Sequence, residues 1–157
     1  MSTPTSTIEA QPIPVQAKLA AGWTSFMFLY VYVDILAFYK PGVVDDILVG
    51  KVWEFDVTPT WAITALSLLA VPILMITLSV TLPARWNRVA NLAVAAVQGP
   101  FALFNLAGAM GESWRFFYVL GVVLELALLA LIVRLAWTWR PTPQTAAVPT
   151  PRVAGAR

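Results

Sequence analysis

Asp34 and Glu125 are the two acidic side chains that fall within long apolar stretches of this chain. An ionised carboxylate deep in a membrane helix costs about 2.5–3.5 kcal/mol on insertion scales, a cost that a proton, water or a cation removes. Uncharged polar groups accompany them in a regular pattern. Asn91, Gln98 and Asn105 are spaced by seven, with Ala95 and Ala102 between them, so all five share one helical stripe. Amides are poorly tolerated against lipid, and small residues beside polar ones allow membrane helices to approach closely, so the stripe is expected to face protein. Tyr118, Gly121 and Glu125 share a face by the same spacing, as do Trp23, Tyr30 and Asp34. Glu125 and Asp34 are therefore candidate proton- or cation-binding groups, with Gln98, Asn105, Tyr30 and Tyr118 as ligand-binding candidates beside them. The structural alternative is an acid hydrogen-bonded to an amide, interhelical glue worth only about 0.6 kcal/mol on average.

The residue inventory sets aside several chemistries. With neither cysteine nor histidine, the chain lacks thiol–disulfide exchange, thiolate ligands for iron–sulfur clusters, the usual haem and zinc ligand and the usual general base. No glycine-rich phosphate loop is present, and Asp45, Asp46, Glu54 and Asp56 do not follow a calcium-loop pattern. Enzyme activity is a minority reading, and no catalytic residue, metal or cofactor is assigned. A net charge of +2 does not point to nucleic acid, because the basic residues are scattered around the apolar stretches.

The elements that must position these side chains are four apolar stretches, about residues 18–39, 60–82, 89–110 and 115–137. Each reaches the roughly 20 residues that span a hydrocarbon core as a helix. A composition of 59% hydrophobic and 11% charged residues excludes an ordinary soluble domain. The expected fold is all-α: an antiparallel four-transmembrane-helix bundle over residues 18–139, with an amphipathic outer loop at 40–59. Residues 1–17 are Ser/Thr/Pro-rich and lack the basic and apolar regions of a cleaved signal peptide, so the first stretch is expected to remain as a helix after a disordered start. Residues 140–157, rich in proline, are expected to be a disordered tail.

Local signals mark the helix ends. Thr58-Pro59 offers an N-cap hydroxyl followed by proline at the first helical position. The links at 83–88 and 111–114 are so short that the helices they join must be antiparallel neighbours. Pro72 and Gly99-Pro100 fall inside helices, where each proline removes a backbone hydrogen bond. In the loop, Val44, Leu48, Val52 and Phe55 recur at helical spacing after Pro41-Gly42, and Asp45 and Asp46 fit its first turn, so a short amphipathic helix on the outer end is expected. A lid or cation-attracting mouth built from the loop acids is the functional alternative.

Charge orients the bundle. With the N-terminus inside, Lys18, Arg85, Arg88, Arg134, Arg140, Arg152 and Arg157 lie on the cytoplasmic side against Lys40, Lys51 and Arg115 outside. Seven against three places both termini in the cytoplasm. All seven tryptophans then fall near a boundary, as in an interfacial aromatic belt. A rise of about 1.5 Å per residue puts Glu125 and Gln98 within about 2 Å of the bilayer centre, and Asp34 and Asn105 roughly 8–9 Å toward the outside. The expected pairs are Glu125 with Gln98 and Asp34 with Asn105.

A family resemblance rests on particular runs: Lys18-Leu19, Gly22-Trp23-Thr24-Ser25, Tyr32-Val33-Asp34-Ile35, Tyr39-Lys40-Pro41-Gly42, Gly50-Lys51-Val52-Trp53-Glu54-Phe55, Leu82-Pro83-Ala84-Arg85 and Glu112-Ser113-Trp114. Together they resemble an uncharacterised family of small four-helix bacterial integral membrane proteins, which implies this topology in the bacterial plasma membrane and no established activity. More loosely, the layout is similar to the DoxX-like group, some of whose members are linked to redox systems. Small multidrug transporters also have four helices and a membrane glutamate, but theirs is in the first helix, within a motif that Tyr30–Ile35 does not reproduce. The favoured expectation is a small binding or transport unit for a proton or small ligand. The alternatives are an accessory or assembly subunit of a larger membrane complex and a DoxX-like redox-associated component. The expected partners are the lipid bilayer and either a second copy or a larger complex.

Overall fold

Four long helices account for most of the residues that the computed structural model describes, 12–111 and 113–140. In chain order the elements are α1 (Val15–Ala37), α2 (Val43–Leu48), β1 (Lys51–Val52), β2 (Phe55–Asp56), α3 (Pro59–Thr81), α4 (Ala84–Ala109) and α5 (Arg115–Thr138). α1, α3, α4 and α5 are each long and apolar enough to cross a bilayer. Their packing forms the expected all-α four-helix bundle.

Local chemistry sets the boundaries. Pro59 opens α3, and the Thr58 hydroxyl caps it by accepting the Trp61 backbone N–H at 3.1 Å. Pro83 precedes α4, which starts five residues before the expected position because Arg85, Asn87 and Arg88 lower the local hydropathy without opposing helix. α1 likewise begins at Val15, inside the segment expected to be disordered. The remaining expectations of disorder, at residues 1–11 and 141–157, and the outer Glu112 lie outside the described residues.

In the loop between α1 and α3 the expected short helix forms with Asp45 and Asp46 in its first turn, but it ends before Val52 and Phe55. Only Val43–Leu48 are helical. Gly50 then takes φ +80°, a left-handed conformation that glycine adopts freely, and the chain turns into an antiparallel hairpin in which Val52 pairs with Phe55. Val52 and Phe55 are thus cross-strand neighbours rather than successive positions on one helix face. Their spacing of three fits a two-residue hairpin turn as well as a helical turn, and the glycine decides between them. Trp53 holds φ +55° at that turn, an uncommon conformation for a large side chain.

Around the bundle α1 packs against α3 and α5, and α5 against α4, while α3 and α4 touch much less. Gly22 permits the close approach of α1 to α5: a Cβ there would come within 2.9 Å of Ile132 Cγ1. Gly121 meets Val33 in the same seam. The apolar core, Leu19, Trp23, Phe26 and Met27 with Met75, Ala95, Leu129, Ile132 and Ala136, sits in the half of the bundle nearer the chain termini. α1 has no buried residue beyond Met27 and α3 has none before Pro72. The bundle is therefore tightly closed at its terminal end and opens toward the hairpin end.

Candidate functional site

The closed end is locked by a polar node. Asn91 Oδ1 accepts from Trp23 Nε1 at 2.7 Å and from Ser79 Oγ at 3.4 Å, while Asn91 Nδ2 donates to the Asn87 carbonyl at 2.9 Å and to Asn87 Oδ1 at 2.6 Å. Asn87 Nδ2 in turn donates to the Ser79 carbonyl oxygen. All four residues are 0% exposed, and the node ties α1, α3 and α4 together. Buried polar groups are retained at low cost only when partnered, and here each is. Trp23 is thus not the interfacial anchor expected of it: its indole lies in the core because Asn91 supplies the acceptor it needs. Asn87 and Ser79 were not among the expected site residues. Asn87 lies one helical turn before Asn91, but before the start assigned to that helix from hydropathy.

The stripe faces protein over most of its length. Asn91, Ala95, Gln98 and Ala102 are buried, whereas Asn105 is exposed where the bundle opens. There Asn105 Nδ2 donates to the Tyr30 hydroxyl at 3.1 Å, crossing from α4 to α1. This differs from the expected Asp34–Asn105 pair. Axial rise estimates depth but not rotation around the helix, and Tyr30 is both long enough to reach across and set one turn deeper than Asp34.

Asp34 and Glu125 flank one α1–α5 contact: Asp34 follows Val33, which packs against Gly121, and Glu125 lies one turn beyond Gly121. Glu125 is 4% exposed on the inward face of α5, between Gly121 and Leu129, while Asp34 is exposed. Half-buried Tyr30 lies one turn before Asp34 on α1. Gln98, 7% exposed, makes no hydrogen bond to Glu125 among the described residues, so the expected pair does not form. Tyr118 shares the α5 face with Gly121 and Glu125, about two turns nearer the hairpin, and its ring packs edge-on against Phe117 at 5.2 Å. The group at the mouth of the closed half is thus Tyr30, Asp34, Asn105 and Glu125, with Gln98 behind Tyr30.

Two features border this group. On one side a crevice of about 40 Å³ runs between α3 and α4 with α1 as its floor, lined by Phe26, Tyr30, Leu68, Pro72, Gln98 and Phe101 among others. Toward the hairpin, Trp53 rests on Gly108, one turn beyond Asn105, and a Cβ at Gly108 would come within 3.1 Å of the indole. The hairpin therefore sits at the open end of the polar face.

The arrangement supplies two carboxyl groups, a phenol and two amides, partly open to the bundle exterior. α3 carries no ionisable side chain, α4 has none after Arg88, α1 has no basic residue between Lys18 and Lys40, and α5 none between Arg115 and Arg134. Among the described residues, none of the four long helices provides a basic side chain at the level of the acids.

A family of unknown function (DUF6326) matches residues 14–146, and the chain belongs to that family. No curated protein and no solved structure matches it.

Proposed function

We propose that this DUF6326 member is a small membrane binding or transport unit whose half-open interior takes up a proton or a small cation. The observation that carries the reading is that Asp34 on α1 and Glu125 on α5 flank the contact of Val33 with Gly121, at a level where the surrounding helices provide no basic side chain. Two carboxylates in a poorly hydrated site repel one another, so each favours a proton or a shared cation. Tyr30 and Asn105 provide a hydroxyl and an amide to orient what binds, and Gln98 a further amide behind them. The Lys/Arg distribution supports a plasma-membrane protein with both termini cytoplasmic, so the open hairpin end faces outward.

Infrared difference spectroscopy of the protein in lipid vesicles tests this. A pH step should change carboxyl bands, and Glu125→Gln should remove part of the change while preserving expression and assembly. A pH response identical in the variant and wild type would overturn the reading.

The light contact between α3 and α4 favours a second reading, an accessory subunit whose partner helix completes that seam. Co-purification of one fixed partner at constant stoichiometry supports it. The DoxX-like alternative calls instead for a redox cofactor retained on gentle extraction.

A further inference from the structure

The acid group and the α3–α4 crevice share a wall, which says what kind of cation fits. Tyr30 lines the crevice and its hydroxyl accepts from Asn105, while Asp34 lies one turn further along α1 and Glu125 one turn from the Val33–Gly121 contact. The crevice has a different character from the acids. Phe26, Leu68, Pro72 and Phe101 make it apolar and partly aromatic, and Gln98 is its one amide. It lies in the least packed seam of the bundle, where α3 is exposed along its hairpin half.

We propose that the site binds an amphipathic organic cation, its ammonium group between Asp34, Glu125 and the Tyr30 ring and its apolar ring or chain in the crevice between α3 and α4. The proposal rests on the cation-binding reading above and adds the substrate class. Charge complementarity supplies the first part, since the carboxylates lack a basic partner at their level. Aromatic faces attract cations, and an alkylated ammonium is desolvated more readily than a metal ion, which suits a site with two carboxylates beside aromatic rings. The second part follows from the crevice being apolar and bounded by two lightly packed helices, so a molecule dissolved in the bilayer can enter sideways. About 40 Å³ is smaller than one aromatic ring, so entry requires α3 to give way where it is least held.

Equilibrium dialysis with the full chain in lipid nanodiscs, corrected with empty discs, tests this using benzyltrimethylammonium and tetramethylammonium. The benzyl cation should bind at least about tenfold more tightly, about 1.4 kcal/mol, as expected from burying one ring. Glu125→Gln should weaken both cations. Val97→Trp, at the rim of the crevice, should bring the benzyl cation down to the affinity of tetramethylammonium. Leu68→Trp, from the opposite wall, should do the same and decides the matter if the first variant does not assemble. Equal affinities for the two cations, or benzyl binding indifferent to both tryptophan variants, would overturn the crevice and leave the cation site standing. Binding of neither cation, with a Glu125-dependent infrared response intact, would overturn the amphipathic ligand and leave a proton site. Loss of both would overturn the two proposals together.

Discussion

The Tyr30 hydroxyl accepts a hydrogen bond from Asn105 Nδ2 at 3.1 Å and joins α1 to α4 where the bundle begins to open. These helices are not adjacent around the bundle, so the bond crosses its interior. It marks the boundary between the closed apolar half and the polar opening that holds Asp34.

Removing this bond should affect ligand response more than stability. Asn105 is exposed and can be resolvated, so Tyr30→Phe and Asn105→Ala should couple by only about 0.6 kcal/mol in a double-mutant cycle. Denaturation in mixed micelles measures the coupling. Both single variants should nonetheless alter the pH-dependent infrared response, because the phenol lies one turn from Asp34 on α1 and bonds across the opening.

Asn91 is the opposite case. Asn91→Leu strands the Trp23 indole N–H and the Ser79 hydroxyl in the core, at about 1–3 kcal/mol for each unpartnered buried group. It should destabilise the bundle far more than Asn105→Leu. Comparable unfolding midpoints for the two variants would contradict the closed-end node.

The α1–α5 seam depends on Gly22. Gly22→Val places carbon where Ile132 already stands, and overpacking of this kind costs about 1–3 kcal/mol. Ile132→Ala in the same chain should recover part of the loss by making room. The check is whether the double variant melts above Gly22→Val alone.

Trp53 on Gly108 predicts a local effect. Gly108→Val should dislodge the indole and shift Trp53 fluorescence toward a water-exposed spectrum, read in a background with the other tryptophans replaced where tolerated. Faster proteolysis within the hairpin, with the four long helices retained, should accompany the shift.

If all four long helices cross the membrane, the segments just before α1 and just after α5 share a side. Reporters fused at Trp139 and within the α2–hairpin segment should therefore give opposite signals, with the Trp139 reporter cytoplasmic by the charge distribution. A cytoplasmic hairpin reporter would reverse the orientation.

The four-helix architecture was legible because its causes are local and short in range. Stretch length and hydropathy, the Thr58-Pro59 cap and the short link at Pro83 each act within a few residues, and the helices formed close to where these signals lie. The spacing of Asn91 and Gln98 was likewise enough to infer a protein-facing stripe, since a helix's own period determines which residues share a face, although the stripe emerges from the bundle at exposed Asn105. Partner choice was not legible. Trp23 is as apolar in a core as at a lipid boundary, and only the position of Asn91 across the α1–α4 interior draws it inward. The same limit applied to Asn105, which met Tyr30 because side-chain reach and helix rotation, both set by packing, outweigh equal depth. In the outer loop a spacing of three served helix and hairpin equally until Gly50 took its left-handed turn. Sequence by itself determined the helices, their faces and the isolation of Asp34 and Glu125 from basic residues. Only the tertiary structure decided that these acids flank one α1–α5 contact at the mouth of a bundle closed at one end, because that depends on how four apolar cylinders rotate and splay to satisfy a few amides, hydroxyls and close-packed glycines.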